Sequence, residues 1–361
     1  MRTARSTRRR DLVAVAAAAL LLLGASACSS DPDDEAQGPT TTTTSGATTT
    51  STSTTVEEPP GPAVAGSGTY AVGALDEVWV DETRPTAMNG DAPAKPERTF
   101  ETLVLYPAVG EGSVERQVVD AEPEPGPWPL VLFSHGFTGQ GFEYAQSLRV
   151  LASAGYVVVA PDYPLSNRNA EGGATVTDVP TQAGGDVAFI IDEALAASEA
   201  GGSLDGLIDP DRIGLAGHSL GAVTSIAAAY DPCCAEARVK AVAEWAGVLV
   251  PLSGEFDVDP LGADVPLLIV HGTEDGTVPY KSAAGIYDAV GPPKLEVTLP
   301  GEGHIPAFIT GLASPASTVV VETTVAFFDA ELKDDPEGLE RVEAVVDDAG
   351  PEVATLRSDL E

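Results

Sequence analysis

Two rhythms of apolar residues alternate along this chain. In residues 70–80 and 99–106 apolar and polar positions alternate, a period of two that predicts antiparallel strands. Residues 129–133 and 156–160 are short, continuous apolar runs, as expected of strands covered on both faces. Residues 144–154 and 181–197 carry the longer helical period. The alternation then repeats. Strands are predicted at 212–216, 239–243, 267–270 and 295–299, and helices at 222–230, 280–290 and 319–332, the last with Phe327 and Phe328 on its apolar face. Strands that alternate with helices predict an α/β fold: a mostly parallel, doubly wound central sheet with helices on both faces. Residues 84–98 read as a loop bearing Pro, Asn and Gly, and 247–265 is too short to form a large cap domain.

The two ends break the rhythm. Arg2, Arg5, Arg8, Arg9 and Arg10 precede an apolar run at 12–23 and the small residues Ala25-Ser26-Ala27, which reads as a signal peptide over 1–27. The run is too short to span a bilayer as a stable helix. Cys28 follows directly and resembles the lipid-accepting cysteine of a bacterial lipoprotein, with Ala25 standing where an aliphatic residue is usual. Simple cleavage after Ala27 is the other outcome. Residues 28–66 are rich in Thr, Ser and Pro and predict a disordered tether. The folded domain is expected over 67–332. The acidic tail, 333–361, is expected to be disordered or to form a short exposed helix near 340–346. The chain is therefore expected outside the cell or at its surface, with membrane contact through the N-terminal lipid only.

Charge narrows the partners. The formal charge is −36, and about −40 once the first 27 residues are gone. Such a chain does not bind nucleic acid through phosphates, and its acidity reads as solubility. Cys233 and Cys234, adjacent in sequence, read as two buried free thiols rather than a strained ring, and are too few for a zinc site. No metal or organic cofactor is implied. The sequence leaves the oligomeric state open.

One pentapeptide, Gly217-His218-Ser219-Leu220-Gly221, joins a predicted strand to a predicted helix. Such a turn exposes a serine Oγ at the top of a sheet. A serine hydroxyl needs a base, and the base needs a group to orient it. Of the four histidines, His304 lies in a late, glycine-flanked loop free to reach Ser219. His135 and His271 read as hydrogen-bonded loop posts, and His218 as a structural residue pointing away from the serine. Asp275 is favoured over Glu274 as the orienting acid. Asp162, Asp186 and Glu302 read as solvated or capping residues. The amides of Leu220 and Phe137 are the expected oxyanion donors. Tyr163 and Trp245, just past strand ends, either wall a substrate pocket or pack in the core.

Ser134-His135-Gly136-Phe137-Thr138-Gly139, the nucleophile pentapeptide, His271-Gly272-Thr273-Glu274-Asp275 and Gly303-His304 together resemble the α/β-hydrolase superfamily over about residues 68–332. The chain is similar to the lidless esterase branch: chlorophyllase-like, cutinase- or poly(ethylene terephthalate)-hydrolase-like, platelet-activating-factor acetylhydrolase-like and dienelactone-hydrolase-like proteins. Phe137 matches the aromatic oxyanion residue of the cutinase group, while Leu220 replaces its usual methionine. Ser219 differs from the cysteine nucleophile of dienelactone hydrolases. The resemblance implies an open site and hydrolysis of a carboxylic ester, carried by a small molecule, a lipid or a polymer. A peptidase, a phospholipid acetylhydrolase and a binding module with a relic site are the competing readings.

Overall fold

The computed structural model describes residues 70–254 and 265–360. The expected signal peptide, the Cys28 lipidation site and the tether lie outside the described residues, as do positions 255–264 of the loop expected at 247–265.

The elements run β1 (Ala71–Asp81), β2 (Arg98–Ala108), β3 (Gln117–Val119), β4 (Trp128–Ser134), α1 (Ala145–Ser153), β5 (Val157–Pro161), α2 (Val187–Ala197), β6 (Ile208–His218), α3 (Leu220–Tyr230), β7 (Val239–Trp245), β8 (Leu267–Gly272), α4 (Lys281–Ala289), β9 (Lys294–Leu299), α5 (Pro315–Lys333), α6 (Gly338–Ala349) and β10 (Thr355–Asp359). The ten strands form one sheet in the order β10-β9-β8-β7-β6-β4-β5-β2-β1-β3. From β5 to β9 every pairing is parallel; β1, β2 and β10 run antiparallel to their neighbours β2, β5 and β9.

The continuous apolar runs are buried on both faces. In β4, Val131 and Phe133 face one core while Leu130 and Leu132 face the other, and β5 divides in the same way. Each such fully buried side chain contributes about 1.5–3 kcal/mol over leaving it exposed. Helices α1, α5 and α6 cover the first face, and α2, α3 and α4 the second. Helix α5 starts where Ser314 caps it, its Oγ accepting the Ser317 amide at 3.1 Å, with Pro315 at the first helical position. It stops at Asp334, which turns left-handed.

The acidic tail is part of the fold, which corrects the domain end expected at 332. Val342 and Val346 lie one turn apart on α6 and are buried against the α5 side of the core. Strand β10 then pairs with β9, setting Arg357 opposite Glu296, with which it forms an ion pair. Cys233 and Cys234 are also corrected: they form a disulfide, Cys233 exposed and Cys234 half-buried, at the end of α3. Asp186 is not solvated. It is fully buried and meets Arg98 Nε at 2.9 Å and Arg84 Nη1 at 2.7 Å, while Arg98 also reaches Asp178 at 2.7 Å. Burial of so many charges is tolerable because each has a partner.

The chain runs from β4 to β5 on one side and returns through β6 on the other. The carboxyl ends of β4 and β6 therefore flank the sheet's switch point, where ligands bind in open α/β sheets.

Candidate active site

Both switch-point strands end in loops that the sequence marks as chemical. At the end of β6, Ser219 has φ 56° and ψ −116°, a strained conformation for a residue with a side chain. Its neighbours must be small. A Cβ on Gly221 would overlap the Ser134 carbonyl of β4, and one on Gly217 would overlap the Gly221 backbone. Two glycines thus let the turn close between strand and helix.

The structure brings Ser219, His304 and Asp275 together. Ser219 Oγ lies 2.8 Å from His304 Nε2, and His304 Nδ1 lies 2.6 Å from Asp275 Oδ2. The carboxylate fixes the tautomer: Nδ1–H donates to Asp275, leaving Nε2 to accept the serine proton. Asp275 Oδ1 accepts the amides of Thr277 at 2.8 Å and Val278 at 2.7 Å. Burial would raise this carboxyl, but hydrogen bonds from His271 and His304 outweigh it and hold Asp275 well below the usual carboxylate range. Glu274, the rejected alternative, is exposed.

His218 does more than the sequence suggested, and it does not point away from the site. It lines the cleft beside Ser219. Tyr144 Oη accepts the Gly136 amide at 3.1 Å and lies 2.8 Å from His218 Nδ1, and His218 Nε2 lies 2.7 Å from the His304 carbonyl. The carbonyl can only accept, so Nε2 carries the His218 proton and Nδ1 takes the tyrosine proton. This chain ties the loop after β4 to the backbone of the loop that carries His304. Burial, and then the neighbouring His304, push His218 down to about 3. The His218 and His304 rings lie 4.9 Å apart.

The amides of Phe137 and Leu220 have no hydrogen-bond partner among the described residues. Leu220 heads α3, where the helix offers its amide no carbonyl. Both are thus available to an oxyanion beside Ser219. The cleft above them holds about 550 Å³ and is open to solvent. Phe137, Ile305 and Ile309 supply its apolar wall, and Arg168 and Glu143 pair at its rim.

Two expected pocket residues lie elsewhere. Trp245 is fully buried on the α5 side, its Nε1 donating to Thr324 Oγ1 at 3.1 Å. Tyr163 is fully buried in the opposite core, 2.8 Å from Ser134 Oγ. Both pack; neither lines the cleft. His135 is a loop post: its Nδ1 lies 2.7 Å from the Gly136 carbonyl and its Nε2 accepts the Tyr163 amide at 3.0 Å. Asp162 takes the Gly141 amide at 2.7 Å at the start of a helical turn. Among the described residues no group of three or more His, Cys, Asp or Glu is placed to hold a metal ion.

Comparison with known proteins agrees with this architecture. The Chlorophyllase family model matches residues 111–248. An uncharacterized protein, YfhR, of Salmonella typhi and of Salmonella typhimurium is 29% identical over 126 residues, 28% of this chain and 43% of the relative. The match thus spans less than half the length of these curated relatives. A solved ferulic acid esterase from Streptomyces cinnamoneus superposes with a TM-score of 0.57 at 21% identity, covering 76% of this chain and 94% of that one. The chain has the α/β-hydrolase fold, and its likenesses support a hydrolase of the esterase type.

Proposed function

We propose that the protein is a serine hydrolase that cleaves carboxylic esters through an acyl-enzyme. The observation that carries this reading is the continuous contact from Ser219 Oγ through His304 to Asp275, beside two unengaged amides. Ser219 Oγ attacks the ester carbonyl while His304 Nε2 takes its proton. The Phe137 and Leu220 amides receive the oxyanion; one such donor contributes about 3–4 kcal/mol in the transition state. His304 then gives its proton to the leaving alcohol. Water repeats the sequence in reverse roles and frees the acid. Phe137, Ile305 and Ile309 suit an apolar acyl or alcohol group.

The signal-peptide pattern and Cys28 support export and lipid anchoring, with residues 28–66 holding the domain off the membrane. Intact-mass analysis of the mature protein tests this: a diacylglyceryl-sized gain at Cys28, lost in Cys28→Ala, is expected, and an unmodified N-terminus contradicts it.

The reaction is tested with p-nitrophenyl esters from acetate to palmitate, beside Ser219→Ala. Hydrolysis abolished in the variant is expected. A steep fall beyond butyrate marks a short-chain esterase, and equal rates on long chains mark a lipid or polymer substrate. Cleavage of amides in preference to esters would favour a peptidase.

A further inference from the structure

Behind Asp275 lies a buried polar pair that the proposed reaction does not use. Glu244 sits on β7, and the β7–β8 register sets it opposite Ile269. His271 lies two residues further along β8, so both side chains leave the same face of the sheet as diagonal neighbours. Both residues are fully buried. Glu244 Oε2 accepts the Gly247 amide at 2.7 Å. Glu244 Oε1 and His271 Nδ1, by contrast, have no hydrogen-bond partner among the described residues.

The other edge of the His271 ring faces the triad. Nε2 lies 2.9 Å from the Val278 carbonyl and 3.4 Å from Asp275 Oδ2. That carboxylate oxygen is the one that holds His304. Two imidazoles therefore meet one oxygen of Asp275. The other titratable groups around the pair are His304 and His218 in the site, and Glu296 on β9, which is held by Arg357 of β10 and by Tyr280 at 2.8 Å. Burial pushes the Glu244 carboxyl up to about 7, with His271 opposing. Burial would lower the His271 ring, but Asp275 and Glu244 outweigh it and raise it.

We propose that His271, backed by Glu244, is a positioning residue of the Ser219 site: its Nε2 edge, anchored on the Val278 carbonyl, steadies Asp275 beneath His304 from 3.4 Å, and the one proton for which the neighbouring Glu244 and His271 compete sets the charge behind Asp275. The inference rests on the serine-hydrolase reading above. With its proton the pair is neutral overall. When solvent takes that proton, one negative charge is added beside Asp275. The added charge favours the imidazolium that His304 becomes in the transition state.

The test uses the full chain and p-nitrophenyl acetate, with kcat and KM followed from about pH 5 to about 9. Wild type is expected to show two ionisations in kcat/KM, and Glu244→Gln only one, at unchanged KM. His271→Ala is expected to lose about 10- to 100-fold in kcat, the scale of a hydrogen bond to a charged group. His271→Gln, whose amide can still donate to Asp275, is expected to recover most of that rate but not the second ionisation. A Glu244→Gln profile identical to wild type, or a His271→Gln enzyme no better than His271→Ala, would overturn the proposal. Nitrogen-15 histidine NMR without substrate separates the two readings. If wild type hydrolyses no ester while Glu244→Gln still shifts the His271 titration, the ester reading fails and the coupled pair stands. If Glu244→Gln leaves that titration in place, the pair fails.

Discussion

Glu322 of α5 offers a direct measure of what buried charge does to this fold. It is 1% exposed, and neither carboxylate oxygen has a hydrogen-bond partner among the described residues. Burial, and then Asp329 about two turns away, raise its carboxyl from 4.5 to about 7. The sign follows from linkage. Below pH 4.5 the group is protonated in both folded and unfolded chains. Between 4.5 and 7 the unfolded chain ionises first, so stability falls as pH rises. Above 7 the folded chain ionises too and the loss levels off. A rise of that size corresponds to about 3 kcal/mol, or about 5–10 °C in Tm for a domain of this length. Glu322→Gln removes the titration while keeping the shape. Urea unfolding at several pH values, with wild type beside the variant, isolates the effect, because Glu244 and all other carboxyls are common to both. Wild type is expected to lose about 3 kcal/mol more than the variant between acid and alkaline pH. Parallel curves for the two proteins would refute the reasoning.

The ion-pair network makes a second prediction: Arg98→Met leaves Asp186 and Asp178 buried without their shared partner, and is expected to lower unfolding free energy by about 3–5 kcal/mol in denaturant titration. Tyr144→Phe removes the hydroxyl between the Gly136 amide and His218, and steady-state kinetics should show kcat falling about tenfold with KM little changed. A chain ended after Lys333 loses the buried Val342 and Val346 and the β9–β10 pairing, and calorimetry should show a domain weakened by about 3–6 kcal/mol.

What was legible in the sequence is what local pattern encodes. The paired apolar and helical rhythms place the central strands and helices because both faces of β4 and β5 are buried. Ser219, Asp275 and His304 each sit in a short loop after a predicted strand, so topology alone brings them to one end of the sheet. The misses have physical reasons. Two valines one turn apart are the only deeply buried side chains of α6 beyond its first glycine, and the acidic residues around them hide the pattern. Strand β10 is an exposed edge with almost no apolar signal. Arg98 finds Asp186 across 88 positions, a pairing that no local period reveals. Trp245 ends β7 and its side chain takes the α5 side, away from the cleft. The second role of His218 depends on Tyr144, 74 residues earlier, which the sequence marked only as the start of a helical stretch.

The central claim is that Ser219 is the nucleophile and His304 its base. A fluorophosphonate probe tests it most directly, with the adduct mapped by peptide mass spectrometry. One adduct per chain on Ser219 is expected, absent in Ser219→Ala and formed far more slowly in His304→Ala. Labelling at another residue, or ester hydrolysis undiminished in Ser219→Ala, would contradict the account.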